Sequence, residues 1–152
     1  MKKLVYIAGP FSPSNGKTMK ENTEFAERVG RYAQALGYAP VVPHSSILRQ
    51  VYGDDALEHD RIEGTLSTLT LMMAIMDSPE SELWVISDGL NELSSGTQEE
   101  YNIWLQNREE SSITIKKDWQ WEREIREFWL EEMRKLSEGQ YQGELKEALE
   151  GK

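Results

Sequence analysis

Two short segments of the chain carry the residue types that can do chemistry. The first is the loop from Gly9 to Thr18, which contains glycines, serines, an asparagine and Lys17. The second runs from Ser94 to Glu100 and combines small hydroxyl residues with two consecutive carboxylates. Hydroxyl, amide and ammonium groups donate hydrogen bonds to anions, and a carboxylate acts as a nucleophile or a base. The residue types therefore predict a small anionic ligand beside a carboxylate.

The first loop is similar to a nucleotide-triphosphate P-loop at its end but not in its spacing. It ends in Gly-Lys-Thr, yet six residues separate its two glycines, where the P-loop motif requires four. Pro10 and Pro13 also lack the amide protons that cradle phosphates. The spacing argues against an NTPase and leaves either an ordinary surface turn or donors for a single phosphate. The candidate substrate-binding residues here are Gly9, Phe11, Ser12, Asn15 and Lys17.

The segment from Ser94 to Glu100 has a local interpretation and a chemical one. Locally, Ser95 with Gln98 and Thr97 with Glu100 each fit a capping box at a helix start. Chemically, the exposed amides at a helix N-terminus bind anions, and the helix dipole favours the ionised form of a first-turn carboxylate. Such a carboxylate, next to an anion site, can attack a sugar carbon. Taken alone, the residues fit both interpretations.

Four apolar runs alternate with helical patterns and must position these two segments. The predicted strands are residues 4–8, 39–43, 82–87 and 113–115, and the predicted helices are about 19–36, 62–76, 97–108 and 118–136. This alternation predicts an α/β fold. We expect a flavodoxin- or Rossmann-like sandwich of three layers, with a parallel sheet of four or five strands and an extra C-terminal helix. If the first and third strands are neighbours, the loops after them converge at a ligand site.

The chain of 152 residues has the length of one domain. We place an α/β domain at residues 1–117 and a helical extension at 118–152. An apolar stripe with Trp121, Phe128 and Trp129 predicts that the extension packs on the domain or on a second subunit. The sequence has no cysteine, and its two histidines and scattered carboxylates show no metal-ligand spacing. We therefore expect neither a metal nor an organic cofactor.

The charge and hydropathy of the chain limit its partners. The formal net charge is -10, from 27 acidic and 17 basic residues. Such a surface repels a polyanion, so we expect no binding to a nucleic acid polymer, whereas local donors can still hold a small anion. No run approaches the ~20 apolar residues of a membrane span, and the first apolar run is too short for a signal peptide. We expect a cytoplasmic protein that does not bind membranes.

The two chemical segments resemble parts of the nucleoside 2-deoxyribosyltransferase superfamily. YIAGPF at residues 6–11 is similar to the first strand and loop of that superfamily. S-x-G-T-x-x-E at residues 94–100, after a strand ending in SDG at 87–89, is similar to its catalytic segment. P-x-x-P-H at residues 40–44 is similar to the second strand of short phage or bacterial members. The resemblance covers residues 4–115 and implies an enzyme of nucleotide metabolism.

The resemblance also implies roles for individual residues. Glu100 aligns with the glutamate that attacks the anomeric carbon, and Tyr6 aligns with a strand-one tyrosine close to it. Ser94 stands where free-nucleoside transferases carry aspartate and where nucleoside 5′-monophosphate N-glycosidases carry serine, which favours a phosphorylated substrate. An upstream aspartate should hold or protonate the base, with Asp60 as the candidate and Asp77 as the competitor. The remaining candidate substrate-binding residues are His44, Asp88 and Gly96.

The sequence therefore predicts an N-glycosidase that hydrolyses a (deoxy)nucleoside 5′-monophosphate. Its nucleophile would be Glu100, with a covalent glycosyl intermediate and net retention. Three alternatives stay open: base exchange as in nucleoside 2-deoxyribosyltransferases, a non-catalytic protein that binds or sequesters a nucleotide, and an interaction protein in which residues 94–100 only cap a helix. Related enzymes complete their sites across a subunit interface, which implies a homodimer or a higher homo-oligomer.

Overall fold

The computed structural model describes residues 1–13, 16–48, 58–88 and 93–151, which form alternating strands and helices. The strands are β1 (Leu4–Ala8), β2 (Ala39–Val41), β3 (Glu82–Ser87) and β4 (Ile113–Lys117). The α-helices are α1 (Met19–Ala35), α2 (Glu58–Met76), α3 (Ser95–Asn107), α4 (Asp118–Ser137) and α5 (Gln140–Glu150). A π-helical turn (His44–Leu48) follows β2, and a 3₁₀ turn (Glu110–Ser112) precedes β4.

The four strands form one parallel sheet in the order β2-β1-β3-β4. From β1 the chain moves to one side to make β2, and it then returns across β1 to make β3 and β4. The direction of strand order therefore reverses between β1 and β3, and the connections leaving these two strands open a crevice at their carboxyl ends. This topology confirms the predicted α/β fold with a parallel sheet, and it confirms that the first and third strands are neighbours.

The two central strands are buried along almost their whole length. Val5 to Ala8 of β1 are each 0% exposed, and Leu83 to Ile86 of β3 are buried as well. Such continuous apolar runs are typical of parallel strands that are covered on both faces. Met72 and Met76 of α2 fill the core on one face of the sheet, whereas Met73 of the same helix is 56% exposed. That core cluster contains Tyr6, Ala8, Met72, Ile75, Met76, Leu83, Val85 and Trp104.

The opposite face of the sheet packs against aromatic residues from α1 and the turn after it. The ring of Trp84 in β3 lies 6.3 Å from that of Tyr32 and 5.2 Å from that of Tyr38. Helix α1 begins at a capping box, in which the Thr18 hydroxyl accepts from the Glu21 amide at 3.1 Å and the Glu21 carboxylate accepts from the Thr18 amide at 3.2 Å. Residues from α1 therefore cover this face, while α2 and α3 cover the other.

The chain divides into two compact units, Met1–Asp118 and Trp119–Lys152. The first contains the sheet and α1 to α3, and the second contains the remainder of α4 together with α5. In the second unit, Phe128 and Trp129 pack edge to face with ring centres 5.0 Å apart. The packing of this extension on the domain or on a second subunit stays a prediction. Across the described ranges, no helix has both the length and the apolar character needed to cross a membrane.

Candidate functional site

A cavity of about 300 Å³ lies where the connections after β1, β2 and β3 meet. The connection after β1 contributes residues 9–13, and the connection after β2 contributes Pro43, His44 and Leu48. The start of α3 contributes residues 94–97, 99 and 100, and α2 forms a further wall. The two segments singled out in the sequence therefore face the same space, at the point where strand order reverses.

Tyr6 and Glu100 form a buried hydrogen-bonded pair at the base of this site. The Tyr6 hydroxyl donates to Oε2 of Glu100, and it also lies 3.4 Å from the carbonyl oxygen of Thr68 in α2. Tyr6 is 0% exposed and Glu100 is 9% exposed. The pair joins residues 94 positions apart in the chain. The fold thus brings together the tyrosine and glutamate predicted to act together.

Burial has the largest effect on the pKa values of Glu100 and Tyr6. Burial, with a smaller effect of the negative charge of Glu99, raises the pKa of Glu100 from 4.5 to about 7, while the hydrogen bond from Tyr6 acts in the opposite direction. The prediction that the helix dipole keeps Glu100 ionised was wrong. Glu100 lies in the second turn of α3, where the dipole is weak, and desolvation outweighs it. Burial also raises the pKa of Tyr6, so its hydroxyl stays protonated and donates.

Ser94 is the N-cap of α3 and also lines the cavity. Its Oγ accepts from the Thr97 amide at 3.4 Å and lies 2.6 Å from the Thr97 hydroxyl. The two capping boxes predicted within the segment were therefore wrong, because the helix begins at Ser95, two residues earlier than expected. The amides of Ser95 and Gly96 come first in the helix and have no intrahelical acceptor. A Cβ added to Gly96 would meet nothing within 4 Å, so a ligand can approach this backbone closely.

The loop after β1 contributes Gly9, Phe11 and Ser12 to the cavity, but not its lysine. Gly9 also has a packing role, since an added Cβ would lie 3.0 Å from Cβ of Ile86 in β3. Nζ of Lys17 lies 2.7 Å from the Asp118 carboxylate and 5.6 Å from the centre of the Phe25 ring. The structure thus commits Lys17 to an ion pair instead of the cavity. Asn15 lies outside the described residues.

His44 fixes the first loop from the side of β2. Its Nε2 lies 3.1 Å from the Gly9 carbonyl oxygen and 3.0 Å from that of Pro10, so Nε2 carries a proton and donates to both. The ring is 2% exposed and packs edge-on against Phe11 at 5.9 Å. Burial lowers the pKa of His44, so the ring is neutral and Nδ1 is an acceptor. In the described part of the chain Nδ1 has no hydrogen-bond partner.

Three predicted acids are not among the described residues that line the cavity. Asp60 lies beside His59, with 3.4 Å between Oδ1 and Nδ1. Asp88 directly follows the last residue of β3. Asp77 follows the last residue of α2, at the end of that helix opposite to the cavity wall. The roles predicted for these acids toward the base therefore stay predictions.

The sequence interpretation missed the wall formed by α2. Arg61, Thr65 and Thr68 line the cavity and are spaced four and three residues apart, which places them on one face of the helix. Helix α2 begins at Glu58, whereas the predicted helix began at residue 62. The early start puts Arg61 on the helix face that continues through Thr68. The signal was the acidic segment before residue 62, since acidic residues favour the first turn of a helix.

The described residues contain no group of three or more His, Cys, Asp or Glu side chains arranged to hold a metal ion. The donors that line the cavity are instead hydroxyl groups, backbone amides and one guanidinium group among the residues the structure describes. These groups bind anions and hydroxyl-rich ligands.

One family model matches residues 3–108, and it is described as Domain of unknown function (DUF7768). The match covers more than half of the chain. The chain belongs to this family. The matched part of the DUF7768 chain runs from just before β1 to just after α3, and it includes every described residue that lines the cavity. No curated protein and no solved structure matches the chain.

Proposed function

We propose that this DUF7768 protein hydrolyses the N-glycosidic bond of a (deoxy)nucleoside 5′-monophosphate, with Glu100 as the nucleophile. The observation that carries the proposal is the buried hydrogen bond between Tyr6 and Glu100 within a cavity at the switch point of the sheet. A carboxyl group with a pKa raised by burial, placed in a cavity, is a common sign of a functional site. The resemblance of residues 6–11 and 94–100 to a deoxyribosyltransferase site supports the same assignment.

In the proposed reaction, an ionised oxygen of Glu100 forms a bond to the anomeric carbon. The bond from that carbon to the base nitrogen breaks, and the base leaves with the bond electrons and takes a proton from water. A second water cleaves the glycosyl ester and regenerates Glu100, so two inversions give net retention. Tyr6 orients the carboxylate through its hydrogen bond. Asp60 is not assigned a step, because it does not line the described cavity.

The preference for a monophosphate rests on the start of α3. Ser94, Ser95 and Gly96 at the start of α3 line the cavity, as does Ser12 from the loop after β1. A helix N-terminus with unpaired amides binds phosphate well. The cavity volume of about 300 Å³ is at the lower end of the range for small-molecule sites and suits a single nucleotide.

The proposal is tested by incubating the protein with nucleoside monophosphates and free nucleosides and separating any released base by chromatography. We expect base and sugar phosphate from monophosphates, with release lowered at least about 10³-fold in Glu100→Gln. Glu110→Gln is the matched control, because Glu110 is an exposed residue in the 3₁₀ turn before β4. This control should keep the rate of the wild type.

Other outcomes identify the alternatives. Release that requires an added free base means base exchange, and tight binding without release means a protein that sequesters nucleotides. Release from free nucleosides alone would contradict the assignment of Ser94 to phosphate. Failure to bind any nucleotide or nucleoside would overturn the proposal.

A further inference from the structure

We infer that Arg61, on the α2 wall of the cavity, is the residue that selects a phosphorylated ligand by pairing with the phosphate. The identity of that ligand as a nucleotide rests on the proposed function above. The charge balance of the cavity is the first observation behind this inference. Among the described lining residues, Arg61 is the one cation, and Glu99 and Glu100 are carboxylates. A phosphate monoester carries about -1.5 to -2 charges at pH 7, so it needs a cation in this site.

The lysine that the sequence offered for this role is engaged elsewhere. Lys17 forms an ion pair with Asp118 at 2.7 Å and lies over the Phe25 ring. Moving its ammonium group to the cavity would break that pair and leave Asp118, whose side chain is only 18% exposed, without the ammonium partner. Arg61 is exposed and already faces the cavity, so it binds an anion without such a loss.

The position of Arg61 along α2 fits a group attached to the sugar. Thr68, on the same face, has its carbonyl oxygen 3.4 Å from the Tyr6 hydroxyl that holds Glu100. Arg61 precedes Thr68 by seven residues, which is about 10 Å along a helix. This separation along the helix axis suits the phosphate end of a nucleotide whose sugar carbon lies at Glu100. The planar guanidinium binds two phosphate oxygens at once, which a lysine does not.

The helix itself gives no reason for an arginine at this position. Arg61 lies in the first turns of α2, which begins at Glu58. A cation near a helix N-terminus opposes the helix dipole and is mildly destabilising there. The acidic residues Glu58 and Asp60 in the first turn follow the usual preference, and Arg61 departs from it. Ligand binding explains the departure.

The test measures binding by calorimetry in the Glu100→Gln protein, so that turnover does not interfere. The ligands are the four deoxynucleoside monophosphates, the four matching deoxynucleosides, and inorganic phosphate. We expect Arg61→Gln to weaken monophosphate binding roughly 10- to 100-fold, with nucleoside binding unchanged, and Arg61→Lys to recover part of the loss. Arg126→Gln is the control, since it removes the same charge from an exposed position of α4. Thermal unfolding of each variant checks the fold.

The outcomes separate this inference from the proposed function. Equal weakening of nucleoside and monophosphate binding in Arg61→Gln overturns the role of Arg61, even if base release is observed. A selective loss in Lys17→Gln in place of Arg61→Gln also overturns it, as does a wild-type protein that binds neither phosphate nor monophosphates. Selective loss in Arg61→Gln without any base release by the wild type supports the role of Arg61 and refutes the proposed hydrolysis.

Discussion

The pKa of Glu100 links the stability of the folded protein to the activity proposed for it. Burial raises this pKa from 4.5 to about 7, so between these pH values the folded protein holds a proton that the unfolded chain has released. This group therefore stabilises the fold most at low pH, and its contribution is lost as the pH rises through about 7. The same rise in pH generates the ionised nucleophile that the proposed reaction needs.

We expect Glu100→Gln to remove this pH dependence. The free energy of unfolding of the variant, relative to wild type, should increase by up to about 3 kcal/mol between pH 4.5 and 8, because only the wild type must ionise a buried carboxyl. Urea unfolding at several pH values measures the difference. His44, whose lowered pKa gives the opposite slope below pH 6.5, is present in both proteins and cancels in the comparison. A difference that does not change with pH would contradict the burial argument.

Tyr6→Phe should move the pH profile of base release to higher pH. The Tyr6 hydroxyl lowers the pKa of Glu100 by its hydrogen bond, so removing the hydroxyl leaves a carboxyl that ionises later. Rates measured between pH 5.5 and 9 show the displacement. Tyr38→Phe is a matched control. The Tyr38 hydroxyl also donates to a carboxylate, that of Glu82 at 3.0 Å, and neither residue is among the described residues that line the cavity. An unchanged profile in Tyr6→Phe would show that the tyrosine does not control the ionisation of Glu100.

Motif spacing located some residues of the site and failed for others. Tyr6, Ser94 and Glu100 line or underlie the cavity as expected, because each occupies a fixed place next to a strand end or a helix start. Lys17 was expected to face the cavity and does not line it, whereas Arg61 lines it and was missed. The placement of Lys17 depends on an ion pair with Asp118, which is 101 residues away in the chain, and that of Arg61 depends on where α2 begins. Neither can be deduced from local spacing.

At the start of α3, Ser94 caps the helix, and we propose that it also binds the phosphate of the ligand. Ser94→Asp separates these two roles. Aspartate caps a helix as well as serine does, so the free energy of unfolding should stay within about 0.5 kcal/mol of wild type. The added charge faces the cavity and repels phosphate, so binding of monophosphates should weaken at least about 10-fold while nucleoside binding is retained.

The control for this substitution is the N-cap of α1. Thr18→Asp introduces the same charge at a helix start that does not line the cavity, and it should leave binding of both ligand classes unchanged. Urea unfolding and calorimetry on the two variants complete the comparison. If Ser94→Asp instead destabilises the fold and binds monophosphates normally, the side chain of Ser94 acts only in the helix cap.

The elements themselves were predicted best where burial is complete. β1 and β3 match the predicted residues 4–8 and 82–87, because a strand covered on both faces must be a continuous apolar run. The ends of the edge strands β2 and β4 were predicted less well. β2 ends at Val41, where residue 43 was predicted, and β4 extends to Lys117, where residue 115 was predicted. Residues in these strands are only partly buried, so hydrophobicity marks their ends poorly. Pro40 is accommodated because β2 lies at the sheet edge.

The family match ends before the sheet does. The DUF7768 match stops at residue 108, whereas β4 begins at Ile113 and pairs with β3 from Leu83 to Ser87. The cavity lies at the carboxyl ends of β1 and β3, and every described residue that lines it precedes position 108. Residues 113–117 complete the sheet, and the described residues that line the cavity all lie within the matched part.

The net charge of -10 repels an anionic substrate at long range as it approaches the protein. The Debye length falls from about 30 Å at 0.01 M salt to about 8 Å at 0.15 M, so salt screens this repulsion far more than it screens the short contact with Arg61. We therefore expect the association rate constant of a monophosphate with the Glu100→Gln protein to rise about 2- to 10-fold over that range, measured by stopped flow. The matching uncharged nucleoside should show no such rise. A rate that falls with salt would mean that the local field of the cavity, and not the net charge, governs the approach of the ligand.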